Sequence, residues 1–237
     1  MEIKILFDKD GLDDRFLTGW GISYLVDSNI LFDTGEDPYR LFRNMEYMNV
    51  KAEDISAVII SHDHWDHTGG LEGILKTKRN MDIYTCPNFS DEFKHDVRGF
   101  GGNIIESEKI AEITRDIFVT GEILRSCDKG LIPEQALVIK TINGLTVLTG
   151  CAHPGILDIL KKIKEGFPGE RLYFVCGGFH LKDSSAEEIK SVIEGFKKIG
   201  VERVGPTHCS GEKTEAVFKE EYGKNFIPIK IGQVLEV

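Results

Sequence analysis

The sequence predicts a layered α/β domain, with helices packed outside two sheets. Three observations carry that prediction. Short apolar runs rich in β-branched residues, such as Ala57-Val-Ile-Ile, Leu145-Thr-Val-Leu-Thr and Leu172-Tyr-Phe-Val-Cys, each lead through a glycine-containing loop into a segment of helical period. Turn signals at Asp27-Ser28-Asn29 and Asn143-Gly144 join neighbouring strands as hairpins. The 237 residues are 41% hydrophobic and 29% charged, a globular composition. No Pro- or Ser-rich linker and no fixed-period repeat divides the chain, so residues 1–237 read as one domain of two similar halves.

The elements follow in order. Ile3, Ile5 and Phe7 alternate as a strand, Trp20 to Val26 form a second, and Ile30-Leu31-Phe32 a third. Asp37 caps a helix that has Pro38 at its first position and Leu41, Phe42, Met45 and Met48 at helical spacing. Ala57 to Ile60 is a buried strand delivering a polar loop, with Gly69-Gly70 and a helix on Leu71, Ile74 and Leu75 beyond. Met81 to Thr85 reads as a strand, Asn88 to Val97 as a short helix, and Gly99 to Asn103 as a flexible loop. Leu137 to Ile142 and Leu145 to Thr149 make the Asn143-Gly144 hairpin, which runs into Gly150-Cys151-Ala152-His153-Pro154-Gly155 and a helix on Ile156, Leu157, Ile159, Leu160 and Ile163. Leu172 to Cys176 ends in Gly177-Gly178-Phe179-His180, before a helix opened by the capping box Ser185 and Glu188. Val201 to Gly205 reads as the last core strand, ending in Pro206-Thr207-His208-Cys209. The early segment Asp8 to Arg15 reads as a solvated polar loop.

Charge and cysteine usage narrow the classes of function. Lys and Arg total 29 against 39 Asp and Glu, a net charge of −10, so a basic surface for nucleic acid or anionic membrane is not expected. Charges interrupt the apolar residues of MEIKILFDKD, and no run approaches the roughly 18 apolar residues of a membrane span, so the expected location is cytoplasmic. Five cysteines, Cys86, Cys127, Cys151, Cys176 and Cys209, lack paired spacing and read as reduced thiols.

The histidines carry the chemistry. Of His62, His64, His67, His95, His153, His180 and His208, all but His95 stand at strand-to-loop junctions, beside or two residues from Gly, Pro, Ser or Asp; His95 reads as a solvated helix residue. In His62-Asp63-His64-Trp65-Asp66-His67, three imidazoles and a carboxylate of ligand type fall within six residues, directly after a strand. A loop there can converge them on one or two metal positions, and imidazole with carboxylate suits zinc, iron or manganese. Such an ion lowers the pKa of its water toward 7 and supplies hydroxide at neutral pH.

Ser61-His62-Asp63-His64-Trp65-Asp66-His67-Thr68-Gly69-Gly70 resembles the H-x-H-x-D-H-x-x-G signature of the metallo-β-lactamase superfamily, and Asp33-Thr34-Gly35 resembles its early Asp-x-Gly turn. The resemblance spans about Gly21 to His208 and implies a four-layer αββα sandwich with a metal site at one edge. Two usual ligands are replaced. Cys151 stands where a bridging Asp is usual, and Pro133-Glu134-Gln135 where a third-motif histidine is often found. His153 and His180 look like their replacements, and Pro206-Thr207-His208 resembles the last-histidine motif. Together these strings resemble the dihydropterin ribofuranosylaminobenzene 5′-phosphate synthase-like subgroup of metal-dependent hydrolases.

That resemblance implies two divalent transition metal ions, zinc first, with iron or manganese as alternatives. His62, His64 and His153 would hold one, and Asp66, His67 and His208 the other, with metal-bound hydroxide attacking a small phosphate-ester or pterin-like substrate. Asp66 would also orient the nucleophile, and His180 would be a further ligand or the general acid. Cys151 is either a soft ligand or a small buried thiol, and Asp33 braces the metal loop through hydrogen bonds. Phe7, Trp20, Trp65 and Phe179 are candidates for an apolar substrate pocket, Trp20 equally for the core. The expected partner is a small molecule, with no nucleic acid and no membrane, and a homo-oligomer is left open. The competing reading is an iron-containing redox or electron-transfer protein on the same fold, although the cysteines lack the C-x-x-C spacing of iron–sulfur sites.

Overall fold

At Asp27 and Ser28 the backbone φ is +48° and +70°, the doubly left-handed geometry of a type I′ turn, whose twist matches that of the strands it joins. The computed structural model in which this is seen describes all residues except Arg125, Asp128 and Lys129, and the backbone alone of residues 126, 127 and 130. The chain divides into two compact units, residues 1–108 with 230–237, and residues 109–229.

The first unit is built on a mixed seven-stranded sheet of β1 (Glu2–Phe7), β2 (Ser23–Val26), β3 (Ile30–Phe32), β4 (Ala57–Ile59), β5 (Asp82–Thr85), β6 (Asn103–Glu106) and the last strand of the chain, β15 (Val234–Glu236), in the order β15-β1-β2-β3-β4-β5-β6. The β15 to β3 side is antiparallel, and β3 to β6 run parallel. Parallel neighbours need crossovers, which α1 (Pro38–Tyr47), α3 (Leu71–Thr77) and α4 (Asp91–Gly99) supply. Asp37 opens α1 by accepting from the Arg40 amide at 2.8 Å. Leu41 and Met45 of α1, Leu71, Ile74 and Leu75 of α3 and Val97 of α4 are buried in one cluster with Leu25, Leu31, Val58 and Ile83 of the sheet. Each fully buried aliphatic side chain of this kind contributes about 1.5–3 kcal/mol, so the helical faces are held mainly by the sheet and not by their own propensity.

The second unit is built on a six-stranded mixed sheet of β7 (Ala111–Thr114), β8 (Ile117–Val119), β11 (Leu137–Thr141), β12 (Gly144–Thr149), β13 (Leu172–Gly178) and β14 (Arg203–Thr207), in the order β14-β13-β12-β11-β8-β7. A separate pair, β9 (Ser126–Cys127) and β10 (Gly130–Leu131), lies between β8 and β11 in sequence. Here β12, β13 and β14 are parallel, and their crossovers contain α5 (Ile156–Gly166) and α6 (Ala186–Ile199), followed by α7 (Glu212–Tyr222). Val138, Val147, Val175 and Val204 form the sheet side of a cluster with Ile156, Ile159, Leu160, Ile163, Ile189 and Ile193. Phe179, Phe196 and Phe218 complete it with ring centroids 5.4–5.6 Å apart. Ser185 and Glu188 form the capping box that the sequence predicts.

Several expectations are corrected. The strands β6, β7, β8 and β15 and the helix α7 are not legible in the sequence. In Ala111-Glu-Ile-Thr the side chains are half-buried or exposed, and α7 carries a sparse apolar face in which Thr214 and Phe218 are the buried residues. Asn103 opens β6 instead of closing a loop, and β14 runs to Thr207. The segment after Ile60 is not all loop, since Trp65 to Thr68 form a one-turn helix, α2. Asp8 is fully buried, accepting from the Lys9 amide at 2.7 Å, although residues 12–15 are exposed as expected. Phe7 is a core residue of the first unit; Phe179 is buried in the core of the second and also lines a cavity beside His153 and His180; Trp20 is half-buried and Trp65 exposed. Cys127 lies outside the described side chains, and the other four cysteines are buried and form no disulfide among the described residues. Among the described residues no helix is long and apolar enough to cross a membrane.

Truncating Phe218 tests whether α7 is integral to the second unit. Phe218→Ala should lower the unfolding free energy by about 3–5 kcal/mol, read as a shifted urea midpoint, because it opens a cavity among three rings. A change under about 0.5 kcal/mol, the range of ordinary surface substitutions, would place α7 outside the core.

Candidate metal centre

Ligands of open α/β sheets gather beyond the carboxyl ends of parallel strands, and the histidines of each unit other than His95 lie in segments that follow such strands. In the first unit Phe32 pairs with Ile59, so Asp33 and the segment from Ser61 leave the sheet side by side. Asp33 is buried with φ +54°, a conformation that few non-glycine residues adopt, and its carboxylate is fully engaged. Oδ1 accepts from the Ser61 amide at 2.7 Å; Oδ2 accepts from Ser61 Oγ at 2.7 Å and lies 2.7 Å from His67 Nδ1.

This network sets the histidine tautomers. Ser61 Oγ spends its proton on Asp33 and lies 2.9 Å from His62 Nδ1, so the His62 ring donates there through Nδ1–H. His67 donates Nδ1–H to Asp33 in the same way. Both rings keep Nε2 as the nitrogen for a metal, the tautomer that carboxylate-braced metal histidines adopt. The His62 ring centroid is 4.6 Å from that of His64 and 4.1 Å from that of His67, and His67 Nε2 is 3.5 Å from Asp66 Oδ2. The backbone fits tightly around them. Gly21 has φ +99°, and a Cβ there would stand 1.8 Å from the Asp66 carbonyl oxygen. Asp63 is spoken for elsewhere, accepting from the Ser90 amide at the start of α4 at 2.8 Å.

The second unit repeats the device with Glu134. Its buried carboxylate accepts from the amides of Cys151 at 2.9 Å, Ala152 at 2.7 Å and His153 at 2.8 Å, and lies 2.9 Å from His153 Nδ1. The loop after β12 is thereby wound around one carboxylate. Thr149 pairs with Gly177 and Gly178 with Thr207, so the loops carrying Cys151, His180 and His208 leave adjacent strands at one edge. Cys151 Sγ is 3.3 Å from His208 Nε2, and the His153 and His180 ring centroids are 4.6 Å apart. Ala152, His180 and His208 have φ of +60°, +55° and +51°. Such geometry costs about 1–3 kcal/mol per residue and persists where the surroundings impose it. At Gly177, with φ +118°, a Cβ would lie 2.0 Å from the Thr149 carbonyl oxygen.

The electrostatics follow from burial. Burial opposes charge on His67, but Asp33 and Asp66 overcome it and push the ring up to about 10. Burial pushes the Asp33 carboxyl up, against the pull of His67 and Ser61. Burial also opposes charge on Glu134, yet the His153 ring and the loop amides hold its carboxyl below the usual carboxylate range. For Cys209, burial is overcome by Cys151, His180 and His208, which hold the thiol well below its usual value.

The donor chemistry fits divalent transition metals. Bonds of about 2.0–2.1 Å to N and O in a tetrahedral shell put neighbouring donors roughly 3.3 Å apart, close to the Asp66–His67 separation. Of the residues singled out in the sequence, His62, His64, Asp66 and His67 come together in the first unit, and Cys151, His153, His180 and His208 in the second. His95 is exposed on α4, apart from both sets. Asp33 braces the first set as expected. Glu134 was not recognised as a brace. Its signal was its position, a carboxylate where the resemblance implies a histidine.

Comparison with known proteins places these features in a family. A model of the metallo-beta-lactamase superfamily matches residues 22–99. The 7,8-dihydropterin-6-methyl-4-(beta-D-ribofuranosyl)-aminobenzene-5′-phosphate synthase of Methanocaldococcus jannaschii is 32% identical over 97% of this chain and 94% of its own. Among solved structures, Tm1679, described as a metal-dependent hydrolase of the beta-lactamase superfamily, is 32% identical with a TM-score of 0.84, covering 100% of this chain and 99% of that one. The metallo-beta-lactamase fold protein YhfI from Bacillus subtilis shares the fold at 15% identity, TM-score 0.72, with 100% and 98% coverage.

Two predictions follow from the braces. Asp33→Asn and Glu134→Gln should each weaken metal binding about 10–100-fold in competition titrations, the usual cost of losing a hydrogen bond behind a ligand; unchanged affinity would separate that carboxylate from the metal site. Because the metal-free His67 ring has its pKa raised from 6.5 to about 10, it carries a proton at neutral pH that a metal must displace. Apparent affinity should therefore climb as pH rises from about 6 toward about 10, with proton release on binding, and a pH-independent affinity would remove His67 from the donor set.

Proposed function

The chain belongs to the metallo-β-lactamase superfamily, and from that premise we propose that it is a metal-dependent hydrolase, or a related lyase or transferase, acting on a small phosphate-ester or pterin-like substrate. What supports this reading is that each unit presents histidine donors whose ring orientation is set by a buried carboxylate, Asp33 in one and Glu134 in the other. Metal-ligating histidines ordinarily donate their second ring nitrogen to such a partner. The assignment we propose is His62, His64 and His153 for one ion and Asp66, His67 and His208 for the other, with zinc first and iron or manganese as alternatives. Divalent ions held so would supply Lewis acidity and a water that ionises near neutral pH.

The side chains divide the remaining work. Asp66 offers a carboxylate oxygen beside His67 Nε2, from which it can accept a proton of the attacking water and orient it. His180 is exposed and held at φ +55° after β13, as suits a group that meets substrate and returns a proton to the leaving oxygen. With His153 it lines a cavity of about 250 Å³ whose other walls include Ile156, Leu157 and Leu181. That volume and lining suit a flat ring more than a polymer. The amino end of α5, with Asp158 in its first turn, borders the same cavity. A net charge of −10 disfavours a polyanionic nucleic acid, so a small molecule is the proposed partner, in the cytoplasm and away from membranes. The synthase activity named for the archaeal relative is consistent with pterin and phosphate chemistry here.

A second reading, iron-based redox chemistry, draws on the thiols of Cys151 and Cys209 near His208. A redox titration of fresh protein followed by its visible spectrum separates the two, since the redox reading requires a reversible change of iron oxidation state and the hydrolytic reading requires none. Metal quantification with a panel of phosphodiester, phosphomonoester and lactone substrates tests the first reading. We expect about two transition metal ions per chain, turnover of a phosphate ester, and loss of turnover by at least about 100-fold in His64→Ala and Asp66→Ala. Protein that binds no transition metal and stays inactive after metal addition would overturn it. Full activity in Asp66→Ala would overturn the role given to Asp66.

A further inference from the structure

Cys151 is left without a task by the ligand assignment above, yet its buried sulfur lies beside histidine nitrogens. Cys86 illustrates the core case, buried in the apolar cluster of the first unit. Cys151 is 4% exposed, and its sulfur lies among possible metal donors. Its Sγ is 3.3 Å from His208 Nε2, and Sγ and one ring nitrogen each of His153 and His180 lie within 4.8 Å of one another. Bonds of about 2.3 Å to sulfur and about 2.0 Å to nitrogen in a tetrahedral shell imply an S–N edge of roughly 3.5 Å, close to the separation found. Three hydrogen bonds from residues 151–153 to Glu134 fix the loop that carries the thiol.

We propose that Cys151 binds metal through Sγ as a thiolate, next to His208. This rests on the metal-dependent reading above and adds the character of the centre. Binding breaks the S–H bond, releases that proton to solvent and forms the metal–sulfur bond, with no change in oxidation state. A thiolate among imidazoles makes the centre select softer ions, zinc, iron(II) or cobalt(II), and discriminate against manganese and magnesium.

Cobalt(II) added to metal-free protein is the test. The wild type should develop a near-ultraviolet thiolate-to-cobalt charge-transfer band beside the visible ligand-field bands. The charge-transfer band should be lost in Cys151→Ser and in Cys151→Asp, and kept in Cys209→Ser. Cys151→Asp should also tolerate manganese better than the wild type does. X-ray absorption on the cobalt-loaded wild type, which needs no variant to fold, should show a sulfur neighbour at about 2.3 Å. Cobalt bound with only nitrogen and oxygen neighbours and no near-ultraviolet band would overturn the thiolate while leaving the metal reading intact. Absence of any cobalt binding would instead defeat the metal reading. A band that survives in Cys151→Ser and vanishes in Cys209→Ser would overturn the proposal by giving the ligand to Cys209.

Discussion

A buried carboxylate that must be satisfied is the constraint on which each half of this protein turns. Asp33 and Glu134 are fully withdrawn from water, where an unpaired charge would cost several kcal/mol, so the chain has to bring donors to them. In the first unit the donors are Ser61 and His67, and in the second the amides of residues 151–153 and the His153 ring. Satisfying the carboxylate and aiming the histidines are therefore one event. A loop that wandered would lose several hydrogen bonds together, which makes these loops stiff where loops are ordinarily mobile.

The strand ends supply the second half of the device. Parallel strands in register release their loops at one edge, and left-handed residues turn those loops sharply enough to return their side chains toward that edge. Ala152, His180 and His208 carry this strain in the second unit and Asp33 in the first. The well-packed clusters beneath, with Phe179, Phe196 and Phe218 in one unit and Leu41, Met45 and Ile74 in the other, provide the stability that tolerates it. Phe179 connects the two tasks, its ring locked in the core one residue before His180.

Much of this was legible in the sequence for a local reason. The signature from His62 to His67 places its donors within six residues, so no knowledge of distant contacts is needed to see them. Hairpins at Ser28 and Gly144, the capping box at Ser185 and the stripes of α5 and α6 are also local signals. What escaped notice depends on partners far away. The strand β15 exists because Leu235 pairs with Ile3, more than two hundred residues earlier, and α7 because Phe218 meets Phe179 and Phe196. Glu134 looked like a missing ligand because its partners lie seventeen to nineteen residues on. Phe7 reads as a pocket wall because aromatic residues beside glycine turns read alike whether they face solvent or core.

The sequence by itself determined the fold class, the family and the identity of the metal-type donors, since each is written in short-range spacing and period. It also isolated His95, whose helical neighbourhood differs from that of the other histidines. Only the tertiary structure decided which ring nitrogens are left for a metal, because the tautomers of His62 and His67 depend on hydrogen bonds through Ser61 and Asp33, and Asp33 is remote in the chain. It likewise decided that the Cys151 sulfur meets His208. Proximity across fifty-seven residues is a property of strand order, and no local pattern encodes it.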